Sequence, residues 1–485
     1  MKRGAFLTVL GAVALPSPTR TFRPFRVGVD TLGTTLDPYA VPAPEIDDYA
    51  WIYGDGLTTG EAVPAPMLAD VPETRDGGLT MRYRLRHILW HDGAVLHARH
   101  IAEAVERLHR AGTPGAQTSP WLTFEPYSLI RDIAPHASDT IDIRLHRPHS
   151  SFARTFFSPY AHPALPLLRH DSDSRPIGTG PFRLQRADAE RWSFSAWKGS
   201  PRGVPASRAL EVRFRPSRDE MANEIAAGQI DLAIPLAREE PASDAYRIVS
   251  RDASTVVMLF NCEGAFHTAA LRVAVLRALD VDILQRTIDP RAKLRLSGIL
   301  PAGTADDVAF RFPPHDVARA RAELSGVRAP VTMIYPLGTV RYQTLALQVR
   351  QMLQAAGVDV QPVPRSQLGY FAPDGAFRTG RFDIAVYGFA YGDHPDLAPD
   401  WSCANVVPAG ANYARFCDPS FDAALVRGRE REALRTLLDD AAVVPLARNP
   451  QRFGVGARVT GFEVPPRFVP PSITAHRWAV PGETS

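Results

Sequence analysis

Alternating apolar and polar positions dominate the first half of the chain, and this pattern predicts β-strands. Leu79–Leu85 is the clearest case, because every second side chain is apolar, as in a strand with one buried face. The strands predicted before residue 262 are Phe25–Val29, Leu79–Leu85, Ile141–Leu145, Phe182–Leu184, Trp192–Trp197, Leu210–Phe214, Ile230–Ile234 and Val256–Phe260. Helical spacing of apolar residues predicts a helix over Ala98–His109, and a second, short helix is predicted over Asp219–Ala227.

Beyond about residue 265 the pattern changes to an alternation of helices and strands. Amphipathic helices are predicted over Thr268–Ala278 and Tyr342–Ala356, and strands over Val331–Tyr335, Val358–Val363 and Phe382–Tyr387. A strand-rich half followed by an α/β half predicts two unlike lobes. A cleft between two lobes is a preferred place for a small ligand.

Composition narrows the class of protein. The 485 residues suggest two to four domains at ~100–200 residues each. Apolar residues make up 45% and charged residues 22%, which excludes a mainly disordered chain and a polytopic membrane protein. The net charge of +3 gives no electrostatic case for binding nucleic acid.

The N-terminus resembles an export signal. Lys2 and Arg3 precede the apolar run Ala5–Leu15, and Ala12-Val13-Ala14 is a small-x-small cleavage pattern. We therefore expect residues 1–21 to be a signal peptide and linker, and the mature chain to be exported, soluble and, without a cysteine after the cleavage site, not lipid-anchored. The alternative is a misassigned N-terminus.

The three cysteines agree with export. Cys403 and Cys417 flank a loop-like stretch and can form a disulfide in an oxidising compartment. A zinc site is the weaker interpretation, because no further His or Cys lies nearby at ligand spacing. Cys262 follows an apolar strand, which indicates a buried free thiol.

Catalytic motifs are poor. The chain lacks a phosphate loop ending in Lys-Ser/Thr, a dinucleotide fingerprint and a Gly-x-Ser-x-Gly elbow. The one tempting cluster contains His87, His91, His97 and His100, but Trp90–Gly93 has the composition of a turn. We expect surface or turn histidines there, with a metal site as the alternative, and we predict no cofactor and no enzyme activity.

Several segments, read in order, fit a known family. Thr35–Pro38 (TLDP), Trp90–Gly93 (WHDG) within Leu79–Ile101, Gly178–Phe182 (GTGPF) and Gly388–Asp396 are similar to motifs of the extracytoplasmic solute-binding proteins of ABC importers. The likeness is to family 5, the peptide/nickel-binding group, and within it to the dipeptide-binding members. They also have a cysteine pair around an Asn-Tyr segment, here Asn412-Tyr413.

This resemblance implies a fold and a function. The fold would be a two-lobed α/β periplasmic-binding-protein fold, class II-like, with a hinge and an interlobe cleft. The first lobe would comprise residues 22–262 plus 464–485 and the second lobe residues 263–463. The protein would be a periplasmic monomer that captures a peptide or related small solute and delivers it to ABC permease subunits in the membrane. The alternative is an exported sensor or chaperone-like protein of the same fold without a transport role.

The resemblance also implies a site. Phe389, Ala390, Tyr391, Gly392 and Asp393 would form one wall of the cleft, with Asp393 facing a positively charged end of the ligand. An ordinary turn aspartate is the alternative. The strand Phe382–Tyr387 would deliver this wall to the lobe edge, and Glu45, Ile46 and Asp47 would approach from the first lobe.

The chain departs from the family pattern at three informative places. His100 replaces an acidic residue, and Phe389 replaces a tryptophan. The arginine that holds a peptide carboxylate in dipeptide binders falls near Pro336 here, so Arg341 is the candidate substitute for an anionic end.

Overall fold

The computed structural model describes residues 22–30, 36–40, 49–60, 63–110, 126–149, 151–160, 164–173, 175–215, 217–236, 244–288, 298–300, 304, 307–327, 330–337, 340–372, 374–389, 391, 396–466 and 469–484. The predicted signal peptide lies outside these residues.

Eighteen strands lie in the described part of the chain. They are β1 (Phe25–Val29), β2 (Thr58–Thr59), β3 (Ala65–Pro66), β4 (Glu73–Arg75), β5 (Thr80–Arg84), β6 (Ile130–Pro135), β7 (Thr140–Leu145), β8 (Arg169–His170), β9 (Pro176–Ile177), β10 (Phe182–Ala187), β11 (Arg191–Ala196), β12 (Ala209–Phe214), β13 (Leu232–Ile234), β14 (Tyr246–Phe260), β15 (Val331–Pro336), β16 (Val360–Arg365), β17 (Ile384–Phe389) and β18 (Val443–Gly456).

Helices of the described residues lie mostly in the second half of the chain. They are α1 (Ala98–Arg110), α2 (Phe152–Thr155), α3 (Arg218–Ala226), α4 (Ala269–Ala278), α5 (Val281–Ile288), α6 (Val317–Glu323), α7 (Val340–Ala355), α8 (Gln367–Phe371), α9 (Ala376–Thr379), α10 (Ala398–Trp401), α11 (Pro419–Val426) and α12 (Glu430–Asp439). Most predicted elements are present within two residues of their expected ends, whereas β18 and the first half of β14 were not predicted.

Ten strands join in one mixed sheet, in the order β10-β11-β12-β1-β13-β18-β14-β17-β15-β16. A separate four-stranded sheet, β4-β5-β7-β6, belongs to the first half of the chain. Strand β17 lies between β14 and β15, so it is an interior strand. The backbone of this strand is therefore partly paired on both sides, and its role in delivering the proposed wall Phe389–Asp393 to the lobe edge stays a prediction.

Two large hydrophobic cores divide the molecule. One contains Phe25, Tyr83 and Trp90 together with the late residues Phe453 and Trp478. The other contains Val256–Phe260 and Val443–Leu446 with the helices around them, such as α7 and α12. The two-lobed α/β fold is thus confirmed.

Among the strands and helices of the described residues, only the paired strands β14 and β18 contribute apolar side chains to both of these cores. Core membership changes in the middle of each strand, between Val249 and Val256 in β14 and between Ala447 and Phe453 in β18. The lobe boundaries given above, 22–262 with 464–485 and 263–463, stay a prediction.

The Gly178–Phe182 motif is structural, because it packs directly on backbone. A Cβ atom at Gly178 would lie 1.6 Å from the Tyr53 carbonyl oxygen, and one at Gly180 would lie 2.6 Å from the Tyr53 carbonyl carbon. Between them, Thr179 Oγ1 donates to Asp55 Oδ2 at 2.9 Å. The motif therefore needs glycine for close approach, as expected when two backbone segments touch.

Asp55 is fully buried and pairs with Arg202, whose Nε lies 2.7 Å from Asp55 Oδ1. The guanidinium also donates to carbonyl oxygens of Trp51, Gly54 and Ile473, at 2.5, 2.9 and 2.8 Å. Such partners are what a buried charge requires, because an unpaired one is costly. This network ties the early chain to the C-terminal segment.

Of the histidines predicted at the surface or in a turn, His91 lies in a turn but is buried, and His100 is wrongly predicted because it is buried in helix α1. His91 is 6% exposed; its backbone N–H donates to Gly178 O and its Nε2 to Gly180 O, both at 2.9 Å. His100 is 3% exposed, and its Nδ1 accepts from Trp90 Nε1 and from the His97 backbone N–H, both at 3.1 Å. His100 is the third residue of helix α1, so the second bond is a helix-capping bond of the kind an acidic residue usually makes there.

Replacing Gly178 by Ala should destabilise the protein severely. The new Cβ has no space beside the Tyr53 carbonyl, and backbone cannot rotate away as a side chain can. We expect a loss of about 3 kcal/mol or more in the free energy of unfolding, measured by denaturant titration. Gly326→Ala is the matched control, because nothing lies within 4 Å of its Cβ position. Equal stability of the two variants would contradict this packing.

The stability of the protein should fall between about pH 6.5 and pH 4 in part because of His100. Burial, with the nearby Arg99 and His97, lowers the pKa of His100 from 6.5 to about 4. The unfolded chain therefore binds an extra proton in this window, and stability rises with pH by up to about 1.4 kcal/mol per unit.

His100→Gln keeps an acceptor for the helix cap but cannot take up the proton, so it should flatten this part of the profile. Unfolding measured from pH 7 to pH 4 tests this. His87→Gln, at an exposed position, is the control and should leave the profile unchanged. A variant at His100 with the wild-type slope would contradict the assignment.

Candidate functional site

Six parallel strands direct their carboxyl ends to the same zone between the lobes. In the first lobe, β1 runs parallel to β12 and to β13, and β13 is antiparallel to β18. In the second lobe, β15 runs parallel to β16 and to β17, and β17 is antiparallel to β14. Because β14 runs from the first core to the second and β18 runs back, both parallel sets end where the cores meet. Crevices at the carboxyl ends of parallel strands are the usual ligand sites of such sheets.

The floor of this zone is polar. We call it the waist and define it as Ser250–Thr255 of β14 with Arg448–Arg452 of β18, where the strands stay paired but neither core continues. The β18 part is half-buried, between fully buried stretches on both sides. Two strands without large packing contacts are a suitable hinge, because small changes in backbone angles there move one lobe against the other.

Arg251 links the waist to the C-terminal segment. Its Nε donates to Gln451 Oε1 at 2.9 Å, and its Nη1 donates to the carbonyls of Pro466 and Val469 at 2.6 and 2.7 Å. Beside this segment lies a cavity of about 430 Å³ in the first lobe. Its apolar lining includes Met67 and Ile473, and its polar lining includes Tyr160 and Arg477, among other residues. No sequence pattern indicates this cavity, because its walls come from distant parts of the chain.

The second lobe brings an aromatic cluster to the waist. Phe389, the last residue of β17, is partly buried and packs edge-to-face on Tyr391, with ring centroids 5.0 Å apart. Trp401 lies 5.7 Å from Phe389 and donates from Nε1 to Tyr391 Oη at 2.6 Å. Tyr391 Oη in turn donates to Asp400 Oδ2 at 3.0 Å, and burial raises the pKa of Tyr391 far above its usual value. The Tyr391 hydroxyl is thus engaged in hydrogen bonds within the protein.

Arg341 lies in the first turn of α7, which begins two residues before the predicted helix start at Tyr342. Its Cζ lies 5.8 Å from the centroid of the neighbouring Tyr342 ring. A Cβ at Gly388 would lie 3.0 Å from Tyr342 Oη, so the helix start contacts β17 one residue before Phe389.

The remaining predicted site residues, Glu45, Ile46, Asp47, Ala390, Gly392 and Asp393, lie outside the described residues. The structure therefore brings Phe389, Tyr391 and Arg341 to the same end of the second lobe, and the ligand-binding roles of the whole set stay a prediction. Within the described part of the chain, no group of three or more His, Cys, Asp or Glu residues has the geometry to hold a metal ion.

The predicted disulfide between Cys403 and Cys417 is confirmed. Inside the loop it closes, the buried Asn412 donates from Nδ2 to the carbonyls of Ser402 and Phe416, at 3.1 and 2.7 Å. Cys262 is free, as expected, but it is only partly buried as a residue. Burial nevertheless raises the pKa of its thiol to about 12, which makes it a poor nucleophile.

Comparison with known proteins identifies the class. Residues 63–405 match the family model of bacterial extracellular solute-binding proteins, family 5 (middle), so the chain belongs to this family of solute-binding proteins. A probable di/tripeptide-binding protein 5 of Pseudomonas aeruginosa is 25% identical over 84% of this chain and 86% of its own length. A peptide transport periplasmic protein, SapA, of Salmonella typhimurium is 23% identical over 77% of this chain and 74% of its own length.

A solved structure has the same fold. The ABC transporter-associated periplasmic binding protein DppA from Helicobacter pylori, in complex with the peptide STSA, superposes with a TM-score of 0.74 at 18% identity, covering 95% of this chain and 99% of DppA. None of the helices among the described residues has the length and apolar character needed to cross a bilayer.

Thiol counting should distinguish the three cysteines. Denatured, unreduced protein from an oxidising compartment should show one reactive thiol per chain, and reduced protein three. In the native protein near pH 8 the single thiol should react slowly with a thiol reagent, because its pKa is about 12. Cys262→Ser is the control and should remove the signal. Three thiols without reduction would contradict the disulfide.

Proposed function

We propose that this solute-binding protein captures a short peptide in the cleft between its lobes and delivers it to an ABC permease. The strongest support is that the carboxyl ends of two sets of three parallel strands, one set in each lobe, meet at the polar waist. Such an arrangement forms a crevice that can close when the lobes move about the waist. The names of the relatives above supply the solute class. The protein would release its solute unchanged, as an exported periplasmic monomer without lipid anchor, whose signal peptide lies within residues 1–21.

The chemistry of a peptide suits the residues proposed for the wall. Extended peptides bind through backbone hydrogen bonds, which give affinity without dependence on side chains. Their ammonium group needs a fixed carboxylate once it is removed from water. Asp393, which follows the aromatic cluster by two residues, is the proposed partner, and Phe389 and Tyr391 supply apolar surface.

Replacing Asp393 by Asn should weaken binding of a peptide with a free N-terminus by roughly 10- to 100-fold. A charge-assisted hydrogen bond contributes about 1.5–3 kcal/mol, and 1.4 kcal/mol is tenfold in affinity. Calorimetry with a panel of di- and tripeptides measures the loss. N-acetylation of the same peptides should weaken their binding to wild type by a similar factor. It should weaken their binding to Asp393→Asn only slightly, because the partner of the ammonium group is already absent there.

Asp396→Asn is the matched control, since its Oδ1 accepts from the Ala398 backbone N–H at 3.1 Å within the same segment. It should bind like wild type. Unchanged affinity in Asp393→Asn would make that residue a turn aspartate. If the protein binds peptides but deletion of its gene leaves peptide uptake unchanged, the exported sensor or chaperone-like alternative is favoured instead.

A further inference from the structure

One row of paired residues crosses the waist beside the aromatic cluster. Thr255 of β14 lies opposite Phe389 of β17 on one side and opposite Arg448 of β18 on the other. Directly opposite residues of antiparallel strands have their side chains on the same face of the sheet. Arg448 Nη1 donates to Thr255 Oγ1 at 3.0 Å, as this placement requires. Phe389 and Arg448 thus share a face, with Cα atoms roughly 10 Å apart, two strand spacings.

Arg341 approaches the sheet from the other face. Side chains alternate along a strand, so the Cβ direction at Gly388 is opposite to that of Phe389. Tyr342 Oη lies 3.0 Å from that Cβ position, and Ser254 Oγ lies 3.2 Å from it. The helix start that contains Arg341 therefore packs on the face away from Phe389 and Arg448.

The Arg448 guanidinium is held in place. Besides the bond to Thr255, its Nη2 lies 3.7 Å from Asp307 Oδ2, and its side chain is 19% exposed. Thr255 itself is 1% exposed beneath it. A guanidinium that is already oriented loses little side-chain freedom when a ligand binds. Its planar fork also matches a carboxylate better than an ammonium does.

We propose that Arg448, and not Arg341, receives the carboxylate of the bound solute, with the adjoining part of the solute against Phe389. The solute class is then one with an acidic end, such as a peptide with a free C-terminus. This inference rests on the proposed function, because it places one more residue in the same cleft.

Binding of one dipeptide and of its C-terminal amide tests the proposal. Calorimetry should show that amidation weakens binding to wild type by roughly 10- to 100-fold, the range of a charge-assisted hydrogen bond. Arg448→Gln should lose a similar factor for the free acid and bind acid and amide nearly equally. Arg341→Gln is the matched control and should discriminate between acid and amide as wild type does.

The outcomes separate the two proposals. Loss of discrimination in Arg341→Gln, or its retention in Arg448→Gln, overturns the assignment to Arg448. If wild type binds the acid and the amide equally well, the assignment to Arg448 is also overturned, but peptide capture still stands. If wild type binds neither compound, the proposed function itself is contradicted. If thermal unfolding shows that Arg448→Gln does not fold, Arg448→Lys replaces it. It keeps the charge without the fork, so its discrimination should fall severalfold while that of Arg341→Lys does not.

Discussion

The pairing of β14 with β18 is the constraint on which the rest of the structure depends. These two strands stay hydrogen-bonded from Tyr246↔Gly456 to Leu259↔Val443, across both lobes. Each end of the pair is anchored in a hydrophobic core, and the middle is anchored in neither. The backbone ladder therefore holds the lobes together while the missing side-chain packing leaves them able to turn. A ligand cleft and its hinge arise from the same short stretch of chain.

Only one end of this arrangement, the second half of β14, could be predicted from the sequence, whereas its middle and all of β18 could not. Val256–Phe260 was recognisable as a strand because five apolar residues follow one another. Ser250–Thr255 and Arg448–Arg452 have no such pattern, because one-sided burial is what produces alternation and neither core covers these residues. Their strand structure comes from pairing with each other, which is a long-range property. Arg448 could not be predicted for the same reason, since only the strand register places it on the same face as Phe389, two strands away.

The family motifs were recognised but their physical purpose was not predictable. The motif Gly178–Phe182 begins 88 residues after Trp90, the first residue of the motif Trp90–Gly93. His91 nevertheless donates hydrogen bonds to the carbonyl oxygens of Gly178 and Gly180. Both motifs therefore pack together within the first lobe. His100, a departure from the family pattern, keeps the capping acceptor through a ring nitrogen that stays unprotonated in the fold.

The first core can form only after the C-terminal part of the chain has been synthesised. It contains Phe453, Phe462 and Trp478, and β18 is the strand that joins β13 to β14 in the middle of the sheet. The hydrogen bond from Arg202 to the carbonyl oxygen of Ile473 is a further contact between the first lobe and the C-terminal segment. A chain that emerges from its N-terminus, at the ribosome or through a membrane channel, cannot complete its first lobe until nearly the last residue has appeared. Such late closure slows the folding of the first lobe, because contacts between residues far apart in sequence form slowly.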